Sequence, residues 1–135
     1  MQVSTKRILI IERNPHVRDF LRRELVKRDY LVRGSRHADE ALAVVSSPEP
    51  PDLIVFAADT PDIDTAGELQ RLSWSCPRTP IILHTYHEDS VDESIAPFVT
   101  AVVEKSGNPE RLLQIVDDLL CRKTNRDDPN GREGR

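Results

Sequence analysis

Three runs of branched apolar residues, Ile8–Ile11, Leu53–Phe56 and Ile81–Leu83, are too short for helices and too continuous to face water on one side. Flanked by proline or charge, such runs predict strands buried on both faces, the situation of a parallel sheet with helices over both sides. Two weaker strands are predicted over Tyr30–Val32 and Ala101–Val103. The segments between them carry helical spacing. Asn14-Pro15 reads as a cap followed by proline at the first helical position. Val17, Phe20, Leu21 and Leu25 follow on one face, with Arg18, Arg22 and Arg23 on the wet side. Ala38, Ala41, Leu42 and Val45 predict a helix over 37–45, and shorter helices are predicted over 66–74 and 88–95, the second stopped by Pro97. Asn108-Pro109 repeats the cap signal before Leu112, Leu113, Ile115, Val116, Leu119 and Leu120, a strongly apolar helix face.

Strand and helix therefore alternate five times, which predicts a three-layer α/β sandwich. Right-handed crossovers leave few topologies, and the flavodoxin-like (βα)5 order 2-1-3-4-5 is the common one at this size. The 135 residues suffice for one domain, expected over 1–121, with no disulfide or metal staple needed. Residues 122–135 hold no apolar side chain to bury and predict a charged, flexible tail.

Charge and cysteine content narrow the function classes. A net charge of −4 is too mild to steer the molecule toward nucleic acid or an anionic membrane. Cys76 and Cys121 lack metal-ligand or redox-motif spacing and read as free thiols in a reducing compartment. His16, His37, His84 and His87 form no zinc-binding pattern, and His84 and His87 read as strand-end and loop histidines. The first residues show a four-residue apolar run broken by charge, so neither a signal peptide nor a membrane span is expected and the chain is expected to be cytoplasmic.

In such folds functional groups lie beyond the carboxyl ends of the strands. Those ends here read ILIIERNP, PDLIVFAADTPDID, PIILHT and VVEKSGNPERLL. In this order and spacing they resemble the response-regulator receiver domains of two-component signalling, over roughly residues 6 to 121. The resemblance implies an acidic pair after the first strand for Mg²⁺, a phosphoryl-accepting Asp ending the third, a Ser/Thr ending the fourth and a Lys ending the fifth. Glu12 and Arg13 stand at the acidic pair, Ala57 at the acceptor position, and Thr85 and Lys105 match as they are.

Ala57 cannot offer the nucleophilic oxygen that phosphoryl transfer requires. Mg²⁺ is usually held by carboxylates in an octahedron of oxygens. Glu12, Arg13 and Lys105 sum to +1, or to 0 if Asp59 turns inward, against −2 implied for the family pocket. Each unit charge about 4 Å away is worth up to roughly 4 kcal/mol at an effective dielectric near 20, so useful Mg²⁺ affinity is expected to be lost. Arg13 has two readings: an internal cation reaching Glu12 or Asp59, or a solvated surface side chain. Asp59 is expected at the cleft rim, solvated or paired with Arg13.

The family's switch looks dismantled too. The resemblance places a rotating aromatic at Val102, a small residue at Tyr86, whose ring could instead lie across the cleft, and a Lys-Pro step at Lys105-Ser106, here expected trans. The expectation is an atypical, aspartate-less receiver that acts in signal transduction by protein–protein contact, without enzymatic activity, cofactor, metal, nucleic acid or membrane. Glu88, Asp89, Asp92 and Glu93, opposed by a basic first helix with Arg18, Arg22, Arg23, Lys27 and Arg28, mark a candidate face for a signalling partner, and opposite charge on two helices also allows a homodimer. Two rivals stand beside this reading. One is phosphorylation at Asp59; the other is a flavodoxin-like small-ligand binder, for which Glu12-Arg13-Asn14-Pro15-His16 is a poor anion loop.

Overall fold

In the computed structural model of the chain, which describes residues 5–126, five parallel strands form one sheet. They are β1 (Arg7–Ile11), β2 (Leu31–Ser35), β3 (Leu53–Ala57), β4 (Ile81–Thr85) and β5 (Ala101–Glu104), in the order β2-β1-β3-β4-β5. The order agrees with the sequence expectation. Four α-helices pack on the sheet: α1 (Pro15–Val26), α2 (Ala38–Val45), α3 (Ile63–Ser75) and α4 (Glu110–Arg126).

Alternate residues of each strand feed two cores. Ile8, Ile10, Val55, Ile82 and Val103 meet Leu21 and Leu25 of α1 and Leu112, Leu113 and Val116 of α4. Leu9, Ile11, Ile54, Phe56 and Leu83 meet Ala41 and Val45 of α2 and Leu69 and Leu72 of α3. This two-sided burial is why β1, β3 and β4 read as unbroken apolar runs. β2 lies at the sheet edge, starts at Leu31 and extends through Arg33 and Gly34 to Ser35, two features a water-facing edge tolerates and a central strand would not.

Caps set the helix starts. The Asn14 carboxamide accepts from His16 N and Val17 N, with Pro15 opening α1. Asp62 and Thr65 form a reciprocal capping box that starts α3 three residues before the expected position. Asn108 Oδ1 accepts from Glu110 N at 2.9 Å at the head of α4. That helix continues to Arg126, past the expected domain edge at 121, and residues 127–135 of the expected tail lie outside the described residues.

One expected element is not a helix. Residues 88–95, read as helical, form a 3₁₀ turn at Glu88–Ser90, an extended Val91 and a turn leading to a second 3₁₀ turn at Ala96–Phe98. A helix here would set Glu88 over Asp92 and Asp89 over Glu93, like charges at the destabilising i,i+4 spacing. Asp92 instead accepts from Ser94 N at 2.9 Å and Ser94 Oγ at 2.6 Å, a local turn that competes with helix formation. Ile95 is buried against the α3 side of the sheet and anchors the connection without helical geometry.

Candidate functional site

The carboxyl ends of β1 and β3 open into a cleft of about 900 Å³, walled by the loops that lead into α1, α2 and α3. Glu12, Arg13, Ala57 and Asp59 all line it. Beside it, at the ends of β4 and β5, stand Thr85 and Lys105.

Lys105 organises the charges. Its ammonium donates to Glu12 Oε1 at 2.8 Å and to Asp59 Oδ1 at 2.7 Å. Glu12 and Lys105 are buried, whereas the Asp59 side chain is 69% exposed and reaches in from the rim. Burial alone would depress the Lys105 pKa, but the hydrogen bonds from the two carboxylates outweigh it and the net shift is upward. The second Glu12 oxygen accepts from Asn14 N at 3.0 Å, so both oxygens of this buried carboxylate are used. The Tyr86 ring closes over the ammonium at 5.2 Å from its centroid, within cation–π range.

Arg13 is exposed and makes no ion pair or hydrogen bond among the described residues. Of its two readings, the surface side chain is the one observed; Lys105 is the internal cation and the partner of Asp59. The arginine that does turn inward is Arg18, expected on the wet side of α1. Its guanidinium donates to Glu12 O at 2.7 Å. Gly34 makes room for it: a Cβ there would come within 2.9 Å of Arg18 Cδ. The other basic residues of α1 are paired within the fold, Arg22 and Arg23 with Asp19, Lys27 with Glu24 and Arg28 with Asp117.

Thr85 is fully buried and donates from Oγ1 to Asp59 O at 3.0 Å while accepting from His87 N at 3.1 Å. Tyr86 N donates to the same Asp59 carbonyl at 3.2 Å. The β3–α3 and β4–β5 connections are thus tied together through one backbone oxygen. Val102 packs half-buried against the α2–α3 core. Ser106 Oγ bonds Asn108 O at 2.9 Å, and every peptide bond among the described residues is trans.

At the floor, Ala57 stands in register with His84 of β4, which in turn pairs with Val103 of β5. His84 is buried and its Nδ1 has no hydrogen-bond partner among the described residues. Burial, then the nearby Lys105 charge, lower its pKa to about 4 against the opposing pull of Asp59. The imidazole is therefore neutral at pH 7. A strand histidine carries no such signal in the sequence, because its neighbours are set by strand pairing. Cys76 is a buried free thiol whose pKa burial raises; the Cys121 side chain lies outside the described residues.

These donors do not fit Mg²⁺. An octahedral oxygen site needs several carboxylates around a vacant centre, and here an ammonium bridges Glu12 and Asp59 while Ala57 offers only a methyl. Among the described residues no group of three His, Cys, Asp or Glu could hold a metal ion. Glu88, Asp89, Asp92 and Glu93 are exposed on the β4–β5 connection, outside the cleft. No helix of the described residues is long and apolar enough to cross a membrane.

A family model for the response regulator receiver domain matches residues 8–117. A curated relative, the DNA-binding transcriptional regulator NtrC of Proteus hauseri, is 23% identical over an alignment that covers 84% of this chain and 29% of that protein. The chain thus spans less than a third of that regulator. Among solved structures, the response regulator protein TrrA of Thermotoga maritima in complex with Mg²⁺ and BeF is 25% identical, with a TM-score of 0.75 over 85% of this chain and 99% of that one. The same regulator in complex with the histidine kinase ThkA is 28% identical, with a TM-score of 0.75 over 86% and 99%. A CheY-like receiver domain of Methanospirillum hungatei, 24% identical with a TM-score of 0.75 over 91% and 99%, shares the fold.

Proposed function

The chain belongs to the response regulator receiver domain family, and from that membership we propose that it works in two-component signalling through protein–protein contact in one fixed shape, without aspartyl phosphorylation. The observation that carries this reading is the Lys105 ammonium bonded to both Glu12 and Asp59 beside a strand end occupied by Ala57. The ammonium stands between the two carboxylates that a metal would need, and both Glu12 and Asp59 already serve as its acceptors. Thr85, held by the Asp59 carbonyl and by His87 N, is anchored on both sides. A group with no differential affinity for two states cannot shift a population between them. The domain is then neither an enzyme nor a cofactor carrier.

The partner is a protein of the signalling pathway, met in the cytoplasm. TrrA is bound by a histidine kinase in its complex with ThkA, and a sensor or output protein of that kind is the class of partner inferred here. The acidic connection with Glu88, Asp89, Asp92 and Glu93 supplies the exposed charge for docking it. α1 is a poorer candidate, since its basic residues are largely paired internally.

Titration with millimolar-range Mg²⁺, with and without beryllofluoride, tests the cleft. Backbone amide shifts at Glu12, Ala57 and Thr85 are expected to stay in place, and acetyl phosphate with Mg²⁺ is expected to leave the intact mass unchanged. Saturable shifts at those residues, or an added phosphoryl group on Asp59, would overturn the reading.

A further inference from the structure

The outer face of α3 carries the two most exposed large apolar side chains among the described residues, Ile63 at 85% and Trp74 at 70%. They are eleven positions apart, about three helical turns, so they lie on one line along the helix, roughly 16 Å from end to end. Between them on the same face sits Gly67. Glycine is the least favourable helix residue after proline, and nothing in the fold asks for it: a Cβ at Gly67 would meet no atom within 4 Å. The small residue leaves a shallow place on an exposed surface, next to two large apolar groups that nothing among the described residues covers.

The charges on this face are centred within about one residue of that line's middle. Asp64 lies one residue inside Ile63, and Arg71 three residues inside Trp74. Arg71 makes only a long, exposed contact of 3.7 Å with Asp39 of α2, a pair worth little in water and easily exchanged. The Asp64 carboxylate is exposed and has no hydrogen bond or ion pair among the described residues. Reversing the helix direction about the level of Glu68 and Leu69 brings Trp74 onto Ile63, Arg71 toward Asp64 and the Gly67 hollow beside the central turn. The face is complementary to itself in shape and in charge, the requirement of an isologous two-fold contact.

We propose that α3 is a homodimer interface, in which the α3 helices of two copies pack antiparallel with each Trp74 against the second copy's Ile63 and Gly67. The contact lies on the opposite side of the sheet from α1 and α4 and does not use the acidic β4–β5 connection; of its residues only Asp64 borders the cleft. A single helix face is small beside a standard interface of ~1,600 Å², so the dimer is weak and fills at high concentration.

Trp74 is the only tryptophan of the chain, which makes the interface self-reporting. Sedimentation equilibrium and tryptophan emission on the full chain, from about 10 µM to about 1 mM, would follow association. The apparent mass is expected to rise toward twice the monomer while the emission shifts to the blue. Ile63→Glu and Gly67→Gln should each weaken association by about 10-fold or more, a free-energy change of ~1.4 kcal/mol. Gly67→Gln also replaces a helix-breaking residue, so its melting temperature should not fall, and circular dichroism would show that both variants stay folded. Arg71→Asp should weaken the dimer as well, and Arg71→Asp with Asp64→Arg should restore it, since the swapped charges meet again across the axis. A monomer throughout the range overturns the proposal. So does association without a change in Trp74 emission, or association insensitive to both Ile63→Glu and Gly67→Gln, because each puts the contact on another face.

Discussion

Lys105 holds two carboxylates of very different burial, and that difference predicts which loss costs more. Replacing it by Met would leave Glu12 charged and buried with one hydrogen bond from Asn14 N, and removing one partner of a buried pair costs about 3–5 kcal/mol. Asp59→Asn removes a carboxylate that is mostly in water and should cost less than about 1 kcal/mol. Urea unfolding of the two variants at pH 7 is expected to separate them clearly; equal losses would mean that Glu12 is not the main partner. His84 is expected to contribute to the acid sensitivity of stability. Its folded pKa is depressed to about 4 from an ordinary 6.5, so the unfolded chain takes up the proton first and its contribution, complete above about pH 6.5, is lost as pH falls toward 4. The full span corresponds to about 3 kcal/mol. In His84→Leu, ΔG of unfolding between pH 4 and 6.5 should be flatter than in the wild type, and an unchanged slope would assign the acid limb to other groups.

Among the elements, the β4–β5 connection shows how packing can persist where helix does not. Ile95 is buried, so Ile95→Ala should cost about 2–5 kcal/mol, as for other core truncations. Far-UV circular dichroism of the folded variant should be nearly unchanged, because Ile95 supports turns and not a helix. The sequence predicts a short helix over 88–95 stopped by Pro97. Like charges at i,i+4 and the Asp92–Ser94 turn outweighed that signal in a segment with only two apolar anchors. The α3 start lies three residues before the expected one because the Asp62–Thr65 box, a local capping signal, begins the helix at the exposed Ile63.

Across the whole molecule, charge on the described surface is uneven. α1 is laced by internal ion pairs, while Glu88, Asp89 and Glu93 have no ion pair among the described residues. Reversing Asp89, Asp92 and Glu93 to Lys should therefore weaken binding of a kinase-type partner, and the wild-type affinity should fall as salt rises from about 50 to about 500 mM, as the Debye length shortens. Isothermal titration of both proteins at two salt concentrations checks this, and an affinity indifferent to the triple reversal would place docking elsewhere. The proposed α3 contact should be far less salt-sensitive, because the apolar Trp74–Ile63 pairs at its two ends supply most of it.

The parallel sheet, its strand order and the caps of α1 and α4 were legible in the sequence because each rests on local information: apolar runs, helical spacing and Asn-Pro steps. The residues at the strand ends were legible too, since a strand's end fixes which side chain meets the cleft. Which cation sits among them was not. Arg13 and Lys105 are both basic and both adjacent, on paper, to Glu12 and Asp59, and only the direction of each side chain separates them. That direction follows from tertiary packing: β5 runs beside β4 and brings Lys105, just past its end, over the strand ends next to Glu12, whereas Arg13 opens a loop and turns to water. The same holds for Arg18, drawn inward through the space left by Gly34 on a strand thirteen or more residues away, and for His84, whose pKa depends on burial and on Lys105 and Asp59 just past the ends of β5 and β3. Contacts between residues distant in sequence are set by pairing and packing, and a one-dimensional pattern holds no record of them.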